Sequence, residues 1–186
     1  MELGLPPVNR EGQILVISGW RGVGKTALCE KIVAQAQRAD REVAGMLSPG
    51  RFAGGEKTGF FAVDVATRET RLLASAVPGE IDGLQLGPWA FDLQVVEWGN
   101  QCLQHTTRPD LLVIDEIGPL EFERNTGWWS SFEVLNQKSY QLAVAVIRPE
   151  YLEAFSNLGF VYQTVDVTKA VDLEPLAASI SSLANR

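Results

Sequence analysis

Residues 19–26 are Gly19-Trp20-Arg21-Gly22-Val23-Gly24-Lys25-Thr26, and Ala27 follows them. The stretch fits G-x-x-x-x-G-K-[ST], the pattern of a P-loop. The apolar run 14–18 before it predicts a buried parallel strand, and the helical spacing from Thr26 to about Arg38 predicts a helix after it. Loop N–H groups and the helix N-terminus then converge on one point. We therefore predict that Gly19 to Ala27 bind a nucleotide through its phosphates.

Two side chains of this motif have defined chemical roles. Lys25 is predicted to reach the β- and γ-phosphates, which makes it a predicted catalytic residue. Thr26 is predicted to offer its hydroxyl to Mg²⁺. A lysine without a ligand is disfavoured in the first turn of a helix, because the helix dipole is positive there.

A second motif supplies a carboxylate for the metal. The run 111–114 is Leu-Leu-Val-Ile, and Asp115 and Glu116 follow it directly. Four apolar residues that end in an acid at the carboxyl end of a strand form the Walker B pattern, whose aspartate holds Mg²⁺. The pattern is weak alone, but together with a P-loop it assigns Asp115 to the metal.

Glu116 bears on the type of reaction. A second carboxylate beside the metal acid can orient a water or accept its proton as it attacks the γ-phosphate. The alternative is a carboxylate that only adds negative charge around Mg²⁺. We predict the catalytic role. Residues 115–118 also satisfy D-x-x-G, but N-K-x-D is absent, so guanine specificity is not supported.

Several basic residues are candidates for neutralising phosphate charge. Arg148 follows a predicted sheet strand on the γ-phosphate side, and we include it among the catalytic residues. Arg21 in the loop, together with Arg51 and Lys57 in a glycine-rich segment, are weaker candidates, because such residues are usually solvated. Glu121 is interpreted as part of a solvated loop, with a supporting role near the metal as the alternative.

Bulk properties limit the kinds of partner. The 186 residues carry a net charge of −7 without a block of Lys or Arg, which argues against nucleic acid. No apolar run is long enough to span a bilayer, and the N-terminus lacks the apolar core of a signal peptide. Cys29 and Cys102 indicate neither a metal site nor a disulfide framework. We expect a cytoplasmic monomer.

The order of the remaining segments predicts the fold class. Strands are expected at 14–18, 43–47, 60–65, 70–74, 111–114, 142–147 and 161–167, and helices at about 26–38, 91–104, 128–137, 150–157 and 172–184. Residues 1–12 are expected to be a loose lead-in, 51–59 a flexible loop and 77–90 an irregular connection. Apolar strands that alternate with helices predict a parallel sheet covered on both faces.

The predicted architecture is an α/β three-layer fold of the P-loop NTPase type, with a mainly parallel sheet. Residues 1–186 form one domain, and a β-hairpin and loop insertion at about 50–75 follows the second strand. Ligands of such sheets bind at the carboxyl ends of the strands, where all the motifs above fall.

The chain resembles the THEP-type nucleoside-triphosphatases, relatives of the kinase-like and RecA-like P-loop folds. Four stretches carry the resemblance: 19–33 (GWRGVGKTALCEKIV), 45–74 (GMLSPGRFAGGEKTGFFAVDVATRETRLLA), 86–92 (LGPWAFD) and 111–122 (LLVIDEIGPLEF). The second and fourth are the more specific. The resemblance implies slow, Mg²⁺-dependent hydrolysis of nucleoside 5′-triphosphates such as ATP, GTP, CTP and UTP to diphosphates, with little base preference.

The resemblance also assigns roles to matching positions and shows departures. It implies phosphate binding by Gly19 to Thr26, metal binding by Asp115 and activation of water by Glu116. Larger residues occupy 20–21, Ala27 stands where a second Thr is frequent, and 119–120 replaces a basic-Met pair. Two other functions share the same core: a nucleotide or nucleoside kinase, and a nucleotide-gated switch module whose partner supplies an arginine.

Overall fold

The computed structural model describes residues 12–169 and 172–184. Its strands are β1 (Gln13–Ser18), β2 (Val43–Leu47), β3 (Gly50–Ala53), β4 (Glu56–Asp64), β5 (Thr70–Ser75), β6 (Leu84–Leu86), β7 (Trp89–Phe91), β8 (Leu111–Ile117), β9 (Leu142–Ile147) and β10 (Gln163–Asp166). Its α-helices are α1 (Lys25–Arg38), α2 (Leu93–Gln104), α3 (Pro119–Arg124), α4 (Ser130–Gln137), α5 (Leu152–Asn157) and α6 (Leu173–Leu183). Most of the predicted lead-in, residues 1–11, lies outside the described residues.

The strands form one sheet with a parallel half and an antiparallel half. The order is β10-β1-β9-β8-β2-β4-β5-β7-β6, and β3 pairs with β4. The neighbours from β10 to β2 are parallel, while every pair from β2–β4 onward is antiparallel. The predicted α/β fold with a parallel central sheet is confirmed.

Side-chain alternation along the parallel strands builds two cores, one on each face of the sheet. Because successive side chains of a strand point to opposite faces, Ile14 and Val16 join one core while Leu15 and Ile17 join the other. Helices α2 and α4 cover the first face, and α1 and α6 cover the second. These are the three predicted layers.

The insertion is more regular than the sequence predicted. The expected hairpin of 60–65 and 70–74 is present as β4 and β5. The prediction of a flexible loop at 51–59 is wrong, because β3 and β4 pair across a turn at Gly54-Gly55. The prediction that 77–90 is irregular throughout is also wrong, because β6 and β7 form a further hairpin at the sheet edge. β3 and the start of β4 contain glycine and exposed polar residues, and β6 and β7 have only three residues each, so none of these elements gives a clear periodic signal.

The structure adds two observations on bulk properties. Cys29 is buried and Cys102 is partly buried, and both are free thiols. No helix in residues 12–169 and 172–184 combines the length and apolar character needed to cross a bilayer.

Candidate active site

The P-loop connects β1 to α1 at the carboxyl end of the sheet. Gly24 immediately precedes α1 and has a φ of +91°, in the left-handed region. Glycine adopts this conformation readily because it has no Cβ, so the turn itself explains why the P-loop pattern has glycine at this position. The chain therefore enters α1 with the backbone N–H groups of the first turn directed at the loop.

Lys25 folds back over this loop. Its Nζ donates hydrogen bonds to the carbonyl oxygens of Gly19, at 2.7 Å, and Trp20, at 2.9 Å. Burial lowers the pKa of Lys25, while the nearby carboxylate of Glu116 opposes that shift. The ammonium group is therefore held at the loop by two neutral acceptors, and a phosphate would offer it charged ones.

Asp115 lies fully buried near the end of β8. Its Oδ2 accepts a hydrogen bond from the Ser48 backbone N–H at 3.1 Å, and the Ser48 hydroxyl donates to the Asp115 carbonyl oxygen at 3.1 Å. Its Oδ1 is buried with no hydrogen-bond partner among the described residues. Burial raises the pKa of Asp115 to about 7, against the lowering effects of Ser48 and the nearby Thr26 hydroxyl. An orphaned carboxylate oxygen of this kind needs a cation or a donor.

Glu116 is directed away from its neighbour by a β-bulge. Ile114 pairs with Ala145, and the next pair is Ile117 with Ile147, so β8 has one residue more than β9 in this interval. Glu116 has a φ of +71°, which is uncommon for a residue with a side chain. Bulges near active sites re-aim side chains. Here the result is that Asp115 is buried while the Glu116 side chain is 40% exposed.

Arg148, directly after β9, faces Glu116. Its Nε lies 3.4 Å from Glu116 Oε1, and its Nη1 lies 3.5 Å from Glu150 Oε1. The 3.4 Å contact does not give Nε a well-formed hydrogen bond, and Nε is buried without a hydrogen-bond partner among the described residues. Arg148 lines the cavity beside Glu116, and its guanidinium has further N–H groups that can donate to a ligand. The sequence prediction that Arg148 belongs with the P-loop and Asp115 agrees with this geometry.

These groups line one cavity of about 740 Å³. Of the predicted residues, Arg21, Gly22, Gly24, Lys25, Thr26, Ala27, Asp115, Glu116 and Arg148 line it. Gly19, Trp20 and Val23 do not, and the Trp20 residue is 64% exposed. Of the weaker candidates, Lys57 lines the cavity, whereas Arg51 pairs with Glu80 at 2.7 Å.

The interpretation of Glu121 as part of a solvated loop is wrong. Glu121 is 2% exposed, in α3, and both its carboxylate oxygens accept backbone hydrogen bonds, from Gly118 at 2.7 Å and Trp128 at 2.5 Å. Burial raises the pKa of Glu121 to about 7, and the two N–H groups oppose that shift. Glu121 therefore fixes the loop that follows β8. An acid three residues after Gly118, in capping-box spacing, was the available signal.

Two further residues of the site gave little sequence signal. Ser48 follows β2 and binds Asp115 through both its backbone N–H and its hydroxyl. Trp128 is 3% exposed, lines the cavity and directs its Nε1 at the Ser48 hydroxyl, 3.4 Å away. Both act through long-range contacts across the sheet, which no local pattern reports.

The donor set fits a magnesium ion bound together with a nucleotide. Thr26 and Asp115 both line the cavity, and the buried Asp115 Oδ1 has no hydrogen-bond partner among the described residues. Hydroxyl and carboxylate oxygens are hard ligands, and Mg²⁺ is usually held by one or two carboxylates with water and substrate phosphates. The residues present are sufficient for that mode of binding.

Comparisons with known proteins agree with the fold. The NTPase family model matches residues 14–170. The chain is 29% identical to the nucleoside-triphosphatase THEP1 of Caldivirga maquilingensis over 147 residues, which cover 79% of this chain and 83% of that protein. It is 30% identical to the nucleoside-triphosphatase THEP1 of Thermococcus kodakarensis over 151 residues, which cover 80% and 83%.

Two solved structures share the fold. The crystal structure of THEP1 from Aquifex aeolicus matches with a TM-score of 0.64 and 17% identity, over 90% of this chain and 99% of that one. The solution structure of a human cancer-related nucleoside triphosphatase matches with a TM-score of 0.69 and 20% identity, over 91% and 96%. With the family model spanning most of the sequence, the chain belongs to the NTPase family of the THEP1 nucleoside-triphosphatases.

Proposed function

We propose that the protein hydrolyses nucleoside 5′-triphosphates to diphosphate and phosphate in a Mg²⁺-dependent reaction with little base preference. The observation that carries this proposal is the buried, unpartnered Oδ1 of Asp115 in the cavity that Lys25 and Thr26 also line. The related proteins are named nucleoside-triphosphatases, which supports the same reaction class.

Each residue has a proposed part. Thr26 and Asp115 would hold Mg²⁺, which neutralises charge on the β- and γ-phosphate oxygens. Lys25 exchanges its two loop carbonyls for phosphate oxygens. Glu116 accepts a proton from the attacking water, and Arg148, 3.4 Å from it, stabilises charge on the γ-phosphate.

The proposed contacts are to phosphate and metal, which every nucleoside triphosphate complex shares, and this supports low base preference. The residues assigned to the nucleotide all address phosphate or metal, and the exposed Trp20 is the one large aromatic side chain in the loop. A flat aromatic face can stack on any base. ATP, GTP, CTP and UTP are therefore all proposed substrates.

The test measures phosphate release from each of these four nucleotides, with Mg²⁺ and with a chelator. We expect release from all four within about tenfold of one another, and loss with the chelator. Lys25→Ala and Glu116→Gln should each reduce kcat by at least about a hundredfold. Lys31→Ala is the matched control, because Lys31 lies on the same helix and pairs with Glu174 at the surface. Unchanged turnover in Glu116→Gln would refute the role of that residue.

A further inference from the structure

The cavity extends beyond the phosphate site in one direction. In the sheet, β1 lies between β10 on one side and β9, β8 and β2 on the other. Asp115 and Arg148 follow β8 and β9, so the γ-phosphate end of a nucleotide lies on that second side. The insertion strands β4, β5, β7 and β6 continue the sheet on the same side. The part of the cavity that they line therefore adjoins the γ-phosphate and lies away from the base.

The far wall of this part of the cavity is aromatic. Phe60 of β4 packs edge-on against Trp89 of β7, with ring centroids 4.9 Å apart, and stacks on Phe91 at 6.5 Å. All three line the cavity, and Phe60 and Trp89 are only partly buried. We call the cavity region lined by Phe60, Trp89 and Phe91 the aromatic compartment. A hydrolase needs only a water at the γ-phosphate, so an apolar compartment there is unexplained by hydrolysis.

The aromatic compartment also has a cation at its mouth. Lys57 of β4 lines the cavity, and its Nζ lies 3.8 Å from the centroid of the Phe60 ring. Its side chain crosses Gly50 of β3, where a Cβ would lie 2.8 Å from Lys57 Cε. The absence of a side chain at Gly50 therefore lets Lys57 reach across the strand pair toward Phe60.

Glu116 lies between the two parts of the cavity. The β-bulge of β8 leaves its carboxylate exposed to the cavity, which it lines together with Lys57 and Arg148. A few polar groups that converge beside an apolar, aromatic wall are the usual composition of a small-molecule site. Here the aromatic wall suits a flat ring, the lysine suits an anion, and the glutamate suits a hydroxyl group.

We propose that the aromatic compartment binds a phosphoryl acceptor, a small compound that carries a planar aromatic ring, an anionic group and a hydroxyl. The ring stacks on Trp89 and meets Phe60 edge-on, and the anion pairs with Lys57. The acceptor hydroxyl oxygen forms the new bond to the γ-phosphorus as the bond to the β,γ-bridging oxygen breaks. The hydroxyl proton passes to Glu116, and the electron pair of the broken bond leaves with the nucleoside diphosphate.

This inference rests on the proposed function for the placement of the γ-phosphate and for the role of Glu116. The experiment therefore measures hydrolysis and transfer in the same reaction. The protein is incubated with Mg²⁺ and γ-radiolabelled ATP, and label is counted separately in inorganic phosphate and in an added probe. The probes are uridine 5′-monophosphate and 4-hydroxybenzoate, which have all three features, with uridine, which lacks the anion, and glycerol 3-phosphate, which lacks the ring.

We expect labelled product from at least one of the two complete probes, with at least tenfold less from uridine and from glycerol 3-phosphate. Labelled product without phosphate release would support the acceptor site and contradict hydrolysis. Phosphate release without labelled product from either complete probe would overturn the acceptor site and leave hydrolysis standing. If neither labelled phosphate nor labelled product forms, the acceptor site and the proposed hydrolysis are both overturned.

Two variants test the location. Trp89→Ala should reduce transfer to the best probe by about tenfold or more while phosphate release without a probe stays within about twofold. Trp98→Ala is the matched control, because Trp98 is also partly buried but packs against Arg71 outside this cavity. Lys57→Met should remove the preference for uridine 5′-monophosphate over uridine. Equal transfer by wild type and Trp89→Ala would overturn the placement.

Discussion

Replacing Asp115 with asparagine should stabilise the nucleotide-free protein while removing its metal-dependent activity. Asparagine keeps the shape of the side chain and removes its negative charge. Its carbonyl can still accept from the Ser48 N–H, 3.1 Å from Asp115 Oδ2, and its amide replaces the unpartnered Oδ1. The variant therefore removes a buried charge without creating a cavity.

The size of the effect follows from the raised pKa of Asp115. The pKa is about 7 in the folded protein, against an ordinary value of 3.8. Between these two pH values the folded state holds a proton that the unfolded state has released, so the free energy of unfolding of the wild type falls as pH rises. At 1.36 kcal/mol per pH unit, the accumulated loss is about 4 kcal/mol above pH 7. Asparagine does not titrate, so the variant does not lose this free energy of unfolding as pH rises.

The assay is urea unfolding at about pH 4.5, 6 and 8 in the presence of a chelator, followed by tryptophan fluorescence. We expect Asp115→Asn to exceed wild type by less than about 1 kcal/mol at the lowest pH and by about 4 kcal/mol at the highest. Asp110→Asn is the control for the substitution itself, since Asp110 is a partly buried carboxylate that accepts hydrogen bonds from Glu42 N–H and Gln141 just before β8. A constant difference for Asp115→Asn, or a loss of stability at pH 8, would refute the reasoning.

Three further tests by substitution probe packing, backbone strain and nucleotide affinity. Gly99→Ala should lower the free energy of unfolding by about 1–3 kcal/mol despite better helix propensity, because its Cβ would lie 2.2 Å from the Trp128 ring; equal stability in urea would contradict this packing. Glu116→Gly should be more stable than Glu116→Ala by about 1 kcal/mol, because φ is +71° there; the reverse order in thermal unfolding would count against strain. Replacing Trp20 and Arg21 with serine should weaken nucleotide binding by about 1 kcal/mol in calorimetry, and no change would make them surface residues without a role.

The parallel half of the fold was predictable because its signals are local. The strands 43–47 and 142–147 were predicted with the bounds that β2 and β9 have. Each is a short, continuous apolar run between polar residues, which is typical of a strand buried on both faces. The phosphate loop and its lysine were predictable for a related reason, since glycine spacing reports backbone geometry directly.

The antiparallel half was less predictable because its strands are stabilised by pairing. The segment 51–59 contains Gly54-Gly55 and several exposed polar residues, so composition favoured a loop. In the structure the same glycines form the turn of the β3–β4 hairpin, with positive φ at both. Two glycines between short segments fit a tight hairpin turn as well as a flexible loop, and only cross-strand partners distinguish them.

The same distinction separates the predicted from the unpredicted parts of the site. Asp115 and Glu116 are adjacent in sequence and both line the cavity, yet Asp115 is fully buried while the Glu116 side chain, in the bulge of β8, is 40% exposed. The sequence predicted a chemical role for each residue, but their difference in exposure depends on how β8 pairs with β9. Ser48 follows β2, the parallel strand that borders the antiparallel half, and forms hydrogen bonds with Asp115. The insertion begins at Ser48. The phosphate half of the cavity is thus built by the parallel strands and the opposite wall by the insertion. Substitutions in the insertion can therefore change the wall that faces Glu116 and Arg148 without disturbing the P-loop.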